Sequence, residues 1–297
     1  MNQGCIYREV VRGRDAGQAI ERYLAGRYAH TSFVAWTEHV AAGRLRLDGE
    51  AAAVGQRLQE GQRLEWHRPP WQEPEAPLHF DVLFDEGGVL VVHKPAGLPT
   101  LAGGGFLEHS LLHQLRLRHP QASPAHRLGR WTSGAVLCSR GGAVGAHLAA
   151  QFARRSTHKV YAALASGSPK EDRFDVDVPI GPVPYPPLGR LHAACPDGRP
   201  ASSSVVVTER RPGAFLCDVS IATGRPHQIR VHLAAAGHPL VGDPLYVVGG
   251  GPAVGGQALP GDPGYSLHSE VIGFEHPRGG AWIEVRAPRP ALLRPGA

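Results

Sequence analysis

The feature that most limits how this chain can fold is the stretch RPPWQEPEAP at residues 68–77, with four prolines in ten positions. Each proline fixes φ and removes a backbone donor, so neither a helix nor a central strand can run through it. The chain of 297 residues is therefore expected to divide into a small module at 1–68, a Pro-rich linker at 69–77 and a larger domain at 78–297. That length is enough for a domain of ordinary size with its own core beside a small module.

Within the module, Ile20, Tyr23 and Leu24 recur at helical spacing. Phe33, Val34, Val40 and Ala41 suggest a second helix, which Gly43 is placed to end. Leu45 and Leu47 then alternate with Arg44 and Arg46 ahead of Asp48-Gly49, a hairpin signal, and a further short strand is expected at 63–66. Trp66 and Trp71, near the linker, are expected to pack between domains.

From Leu78 onward strands are expected at 79–84, 89–94, 135–138, 160–165, 203–208, 215–221 and 281–285. Helices are expected at 109–117, 143–154 and 227–235. This is an α+β pattern with a mixed, mostly antiparallel central sheet rather than a regular βαβ alternation. The segment VVGGGPAVGGQALPGDPG, residues 247–264, is dense in glycine and proline and reads as a mobile loop.

Composition narrows the function classes. The apolar fraction of 42% and charged fraction of 19% are ordinary for a globular chain, and no apolar run is long enough to span a bilayer. The N-terminal stretch shows no apolar segment after a basic one, so the expected location is cytoplasmic. Cys5, Cys138, Cys195 and Cys217 stand singly, without the CxxC spacing of a zinc cluster and without the pattern of a disulfide framework. The net charge is +5, and only Lys94, Lys159 and Lys170 among 31 basic residues are lysines. Arginine's planar fork suits phosphate, so a polyanionic partner is one reading; an arginine-biased codon usage is the other.

Several chemistries lose their usual support. The chain has no GxxxxGK[ST] loop, no GxGxxG between a strand and a helix, and no HExxH. His109 and His113 have the spacing of a helical metal pair, but no third ligand has a reason to join them, so no metal site is expected. Ser133, in TSG, does not sit in the GxSxG setting of a nucleophilic serine.

Three segments bring charge, glycine and aromatic side chains together: VHKPAGLPT (92–100), AHRLGRWTSGAVLCSR (125–140) and ATGRPHQIRVHLAAAGHPLVGDPLY (222–246). Between the last two, Lys159 and Tyr161 fall on one face of a strand and Val160 on the other. Glycines that permit close backbone approach, basic groups and a flat ring suit a nucleic-acid pocket. The plainer reading is a core containing Tyr161 and Ile229, rimmed by solvated arginines.

These segments, in this order, resemble the pseudouridine synthase family of the RluA type. The resemblance rests on His93 to Gly97, His126 to Leu128 with Thr132 to Gly134, Lys159 with Tyr161, Gly224 to His232, and Gly237 to Tyr246, and it covers about 78–290. Residues 16–68 resemble the small αL-type RNA-binding module found ahead of such domains. The resemblance implies the pseudouridine synthase fold and isomerisation of a uridine within structured RNA, tRNA or rRNA, after the base is flipped out. It also implies that no metal, nucleotide or redox cofactor takes part. Tyr161 would stack on the flipped uracil and assist proton removal at C5, and Arg230 would orient the family's catalytic aspartate. Arg127, Lys159, Arg225, Arg44 and Lys94 would contact RNA, while Leu128 and Ile229 would shape the pocket.

At the aspartate's own position this chain has Gly129, which offers no side chain to act beside the sugar. Arg230 would then need another anion, because a buried unpaired guanidinium is costly. Three readings follow. The chain could be an active synthase with a carboxylate from elsewhere, Asp85, Glu86, Glu108 and Asp243 being nearest by motif. It could be a catalytically silent RNA-binding relative, or a fold turned to another anionic ligand. The active reading predicts a carboxylate oxygen within hydrogen-bond reach of Arg230.

Overall fold

The computed structural model describes residues 1–28 and 31–296, in two compact units, Met1–Glu73 and Pro74–Ala297. In the first unit, β1 (Cys5–Val10), α1 (Ile20–Arg27), α2 (Phe33–Ala41), β2 (Leu45–Leu47), β3 (Glu50–Ala51) and β4 (Arg63–Arg68) form a four-stranded sheet, order β1-β4-β2-β3, with two helices. Ser32 caps α2 by accepting from Ala35 N at 3.2 Å, and Gly43 follows it at φ 68°, the left-handed conformation that ends helices. Asp48 and Gly49, both at positive φ, form the two-residue hairpin between β2 and β3. Ile20, Leu24, Trp36, Leu45 and Leu64 make the core.

Of the two tryptophans expected between domains, Trp66 makes its ring contacts inside this unit. Trp66 stacks on Tyr7 at 5.2 Å and meets Trp36 edge-on at 4.7 Å, while Trp71 lies under the Arg68 guanidinium at 3.5 Å. Asn2 donates to Glu73 at 2.7 Å and accepts from Trp71 N at 3.1 Å, so the first part of the Pro-rich stretch belongs to this unit.

The second unit contains β5 (Asp81–Glu86), β6 (Val89–Lys94), α3 (Leu111–Arg118), β7 (Ser123–Pro124), β8 (Ser133–Ser139), α4 (Gly142–Arg154), β9 (His158–Ser166), β10 (Arg173–Val176), β11 (Ile180–Tyr185), β12 (Gly189–Ala194), β13 (Ser203–Arg211), β14 (Ala214–Ile221), α5 (Gln228–Ala235), β15 (Leu267–Glu275) and β16 (Trp282–Arg286). Its main sheet runs β10-β13-β14-β9-β15-β8-β6-β5, with β16 beside β15 and β7 beside β8; β11 and β12 form a separate hairpin. Among the described strands only β15 and β8 pair in parallel, so the sheet is mixed and mostly antiparallel. The sheet is buried on both faces, which accounts for the unbroken apolar run at 89–92. Leu90 and Val92 pack with α3 and α5 residues such as Leu111 and Leu233. Val89 and Val91 pack with Leu148 of α4 and Phe274.

The parallel pairing explains the glycine of TSG. Gly134 lies opposite Ser269 at φ 111°, and a Cβ there would fall 2.1 Å from the Ser269 carbonyl oxygen. Only glycine tolerates both the dihedral and the approach. Gly134→Ala is expected to cost about 2–3 kcal/mol, read as a lower urea midpoint with unchanged m; an unchanged midpoint would contradict this packing.

Candidate active site

One cleft brings together most of the residues singled out in the sequence. It is lined by Arg127, Leu128, Gly129, Thr132, Tyr161, Ile221, Arg225, His227, Gln228, Ile229, Arg230, Tyr265 and Leu267. Its walls come from the 126–132 loop, β9, the end of β14, the start of α5 and the segment leading into β15.

The 126–132 loop is fixed from two sides. Thr100 Oγ1 donates to Leu128 O at 2.9 Å and accepts from Leu128 N at 3.1 Å. The Lys94 ammonium donates to Pro95 O at 2.9 Å, Leu98 O at 2.7 Å and Arg130 O at 3.1 Å. Lys94 is fully buried, and these three carbonyls occupy all three of its donors. The expectation that Lys94 touches RNA is therefore corrected: it pins the KPAG turn to the loop that carries Arg127 and Gly129. From the other side, His126 Nε2 accepts from Leu137 N at 3.0 Å.

The opposite wall is equally built. Gln228 is buried. Its Oε1 accepts from Thr223 Oγ1 at 2.7 Å and from Arg225 N at 3.1 Å, and its Nε2 donates to Ser202 O at 2.8 Å. This folds the ATGRPH turn tightly and leaves His227 at φ 56° as the residue before α5.

Arg230 has the anion that its burial requires. Nε and Nη2 donate to the two oxygens of Asp243, each at 2.7 Å, and side-chain exposures are 3% and 0%. Burial works against the charge, yet the Asp243 bonds hold the guanidinium above its usual pKa. The carboxylate expected near Arg230 is thus present, but it does not line the cleft. Asp243 Oδ1 also accepts from Leu245 N at 2.9 Å and Tyr246 N at 3.2 Å, so it serves as a structural anchor. Asp85 pairs with Arg140, and neither Asp85, Glu86 nor Glu108 lines the cleft. Among the described lining residues none is acidic.

Of the remaining sequence candidates, Tyr161 is buried in the cleft wall, and burial pushes its hydroxyl up to about 12. Arg127 and Arg225 also line the cleft, the latter steadied by a bond from Nε to Pro200 O at 3.2 Å. Lys159, on the same face of β9 as Tyr161, lines a neighbouring hollow instead. Arg44 belongs to the first unit, where it meets His39 Nδ1 at 3.0 Å. His109 is engaged with Pro74 O at 2.7 Å, and no group of three metal-ligating side chains occurs among the described residues.

Sequence reasoning gave no role to Tyr265, Thr132 or His227. Tyr265 ends the Gly/Pro-rich stretch, where the expected mobile loop is tied down. Trp131 Nε1 donates to Gly261 O at 2.8 Å, Tyr185 Oη to Ala258 O at 2.7 Å and Arg230 Nη1 to Pro260 O at 3.2 Å. The Tyr265 ring lies 4.2 Å from the Arg230 guanidinium, and its hydroxyl is 3.1 Å from where a Cβ of residue 129 would stand. The signal available in the sequence was a lone aromatic closing a run of small residues.

The RNA pseudouridylate synthase model matches residues 88–235, spanning the 126–132 loop, Tyr161 and Arg230. An uncharacterized RNA pseudouridine synthase of Synechocystis is 40% identical over 91% of this chain and 94% of its own length. The chain belongs to the RNA pseudouridine synthase family. The relation of this synthase extends to RNA pseudouridine synthase 5 of Oryza sativa subsp. japonica, 36% identical over 99% of this chain and 89% of that one. Among solved structures, human RNA pseudouridylate synthase domain containing 1 aligns at a TM-score of 0.58 with 26% identity, covering 74% of this chain and 87% of that one. The family is one of isomerases acting on RNA, and among the described residues of this synthase no helix is long and apolar enough to cross a membrane.

Histidines hold much of this synthase's site in place as neutral rings. Burial pushes His126, His227 and His268 each down to about 4, with Lys159 adding to the effect at His126 and Arg230 at His227. His126 must stay neutral to accept from Leu137 N. A pKa depressed on folding gives stability that is full above the unfolded value near 6.5 and is lost as pH falls toward 4, since the unfolded chain takes up protons first. The loss is on the order of 2 kcal/mol per ring. Thermal unfolding followed from pH 7 to pH 4 should show Tm falling through this window; a flat profile would contradict neutral buried rings.

Proposed function

We propose that the cleft holds a uridine flipped out of structured RNA, rRNA or tRNA in the cytoplasm, and isomerises it to pseudouridine without a carboxylate at position 129. The observation that carries this reading is the convergence on a single cleft of the Tyr161 ring, the Arg127 and Arg225 guanidiniums, which form no ion pair among the described residues, and His227 with one unused imidazole lone pair. Tyr161 stacks on the uracil. Its hydroxyl, raised to about 12 by burial, stays protonated and is a poor base.

The lone pair follows from hydrogen-bond bookkeeping. Tyr246 Oη lies 2.6 Å from the His192 carbonyl oxygen, which can only accept, so the single hydroxyl proton points there. Tyr246 Oη also lies 2.7 Å from His227 Nδ1, so that nitrogen carries the imidazole proton and donates. His227 Nε2 is left as a bare acceptor in a residue lining the cleft.

Uridine and pseudouridine differ by the position of one proton and one bond. Cleavage of N1–C1′ leaves its electron pair on the uracil, where the Arg127 and Arg225 guanidiniums stabilise the charge on the carbonyl oxygens. After the base turns, C5 bonds to C1′. The hydrogen on C5 leaves as a proton to His227 Nε2, which returns it to N1, so one shuttle balances the reaction. RNA phosphates entering the site raise the low imidazole pKa toward neutrality.

The test incubates the protein with tRNA and rRNA transcripts and maps pseudouridine. Product is expected, with His227→Gln lowering its rate by at least about 100-fold and leaving RNA affinity unchanged. Tight binding with no product from any transcript would instead establish a silent RNA-binding relative, the reading that Gly129 by itself favours.

A further inference from the structure

Beside the cleft, and sharing Ile221 with it, lies a second hollow of about 350 Å³. Its lining includes Arg155, Thr157, Lys159, Ser204, Ser220 and Trp282, and among the described residues no acidic side chain lines it. We propose that this hollow binds the phosphodiester of a nucleotide neighbouring the one in the cleft, with that nucleotide's base on Trp282. The proposal rests on the RNA reading above and adds a second subsite to it.

The observation that demands a ligand is Lys159. It is 94% buried, with a relative exposure of 6%. Among the described residues its ammonium has no hydrogen bond and no ion pair, and Nζ lies 5.8 Å from the Phe152 ring. A lysine buried to this extent without a counter-charge is costly, and proteins retain one where an anion arrives to meet it. Thr157 Oγ1, in the same lining, is likewise buried without a partner.

The surrounding chemistry selects the anion. Arg155, exposed at the left-handed end of α4 with φ 59°, is close enough to Lys159 to depress its pKa further, after burial. Two cations sharing one hollow repel each other until an anion enters. Ser204 and Ser220 lie opposite one another on β13 and β14, and Ser220 in turn pairs with Val160 of β9. Their hydroxyls donate to phosphate oxygens as readily as to any acceptor. Trp282 is 53% exposed although its indole leans over Gly273, and a half-exposed indole beside paired cations matches a stacking platform next to a phosphate.

Position argues for a neighbouring nucleotide. Lys159 and Tyr161 stand two residues apart on one face of β9, a spacing of about 7 Å. A strand that leaves its target base on Tyr161 passes its next phosphate over Lys159.

The test titrates a fluorescein-labelled oligouridylate into the full chain over a series of KCl concentrations, alongside thermal unfolding with and without inorganic phosphate. Lys159→Met and Arg155→Asn are each expected to weaken binding about tenfold and to lower the slope of log K against log salt by about 0.7, the loss of one phosphate contact. Trp282→Ala should weaken binding by a similar factor with the slope unchanged. Lys159→Met should also raise Tm of the free protein, which a purely structural lysine would not do. Arg155 is exposed, so its variant keeps the test open if Lys159→Met fails to fold. Oligouridylate binding with unchanged slopes in both variants overturns the subsite while leaving the cleft reading intact. Stabilisation by inorganic phosphate without any effect of the variants on oligouridylate makes the hollow a free-phosphate site and overturns it as well. Failure of the unaltered chain to bind oligouridylate or any transcript overturns the RNA reading itself.

Discussion

Asp243→Ala is expected to destabilise the protein by about 3–5 kcal/mol, more than a change at any residue that lines the cleft. The Asp243 carboxylate has no exposed surface and Arg230 almost none. Removing the acid strands a guanidinium that cannot reach water and leaves the backbone donors of Leu245 and Tyr246, which now give to Oδ1, without an acceptor. Asp243→Asn keeps the volume but neutralises the acid, and should lose nearly as much. The paired change Arg230→Met with Asp243→Leu removes both charges and should recover much of the loss, because the burial cost of two ions disappears with their attraction. Urea denaturation of the four proteins measures this directly. A loss for Asp243→Asn below about 0.5 kcal/mol, a value typical of exposed pairs, together with abolished pseudouridine formation, would show instead that Asp243 is the chemical carboxylate and that its place behind Arg230 has been misread.

That experiment separates two roles that the sequence left entangled. Arg230 was legible as a cleft residue from its place in GRPHQIRVH, and a carboxylate near it was a requirement of charge burial. Its identity could not be settled, because Asp85, Glu86, Glu108 and Asp243 stand at very different separations along the chain. Folding decides among them: the turn 237–246 brings Asp243 beneath α5, whereas Asp85 on β5 is taken by Arg140. Lys94 shows the opposite case. A lysine beside glycine and proline reads as a phosphate ligand, and only the three carbonyls around Nζ reveal a turn clamp.

The strands at 89–94, 203–211 and 214–221 were legible because their β-branched and aromatic runs are long and flanked by turn residues. β1 was not, since nearly all of its side chains face outward and an edge strand with one covered side carries little apolar alternation. The hairpin β11–β12 was hidden by Pro182 and Pro184, which argue against a strand until its lone partner shows that one edge is free. The low-complexity stretch before Tyr265 misled for a related reason. Its glycines and prolines make no regular elements, yet its carbonyls accept from Trp131, Tyr185 and Arg230, and side chains far away in sequence supply the order that composition cannot show.

Gly129→Asp is expected to accelerate pseudouridine formation by about 100-fold or more and to relieve the dependence on His227. Nothing in the backbone requires glycine at this position, since residue 129 is not among those with positive φ. A Cβ would meet two hydroxyls, Tyr265 Oη at 3.1 Å and Thr132 Oγ1 at 3.4 Å. Those hydroxyls already lie 3.4 Å apart, so a carboxylate that enters between them gains two donors in return for a shift of a few tenths of an ångström by the Tyr265 ring. With a carboxylate beside C1′, cleavage of the glycosidic bond draws on direct stabilisation at the sugar as well as on the arginines at the base, and once C5 has bonded to C1′ the same carboxylate stands near enough to C5 to take its proton in place of His227. His227→Gln should then cost much less in the Gly129→Asp background than in the native chain, a non-additivity that a double-mutant cycle on initial rates measures. Equal losses in both backgrounds would mean that the carboxylate takes over none of the C5 proton transfer from His227. If Gly129→Asp binds RNA as the native chain does and still yields no pseudouridine, the site lacks more than its carboxylate, and the shuttle assigned to His227 fails with it.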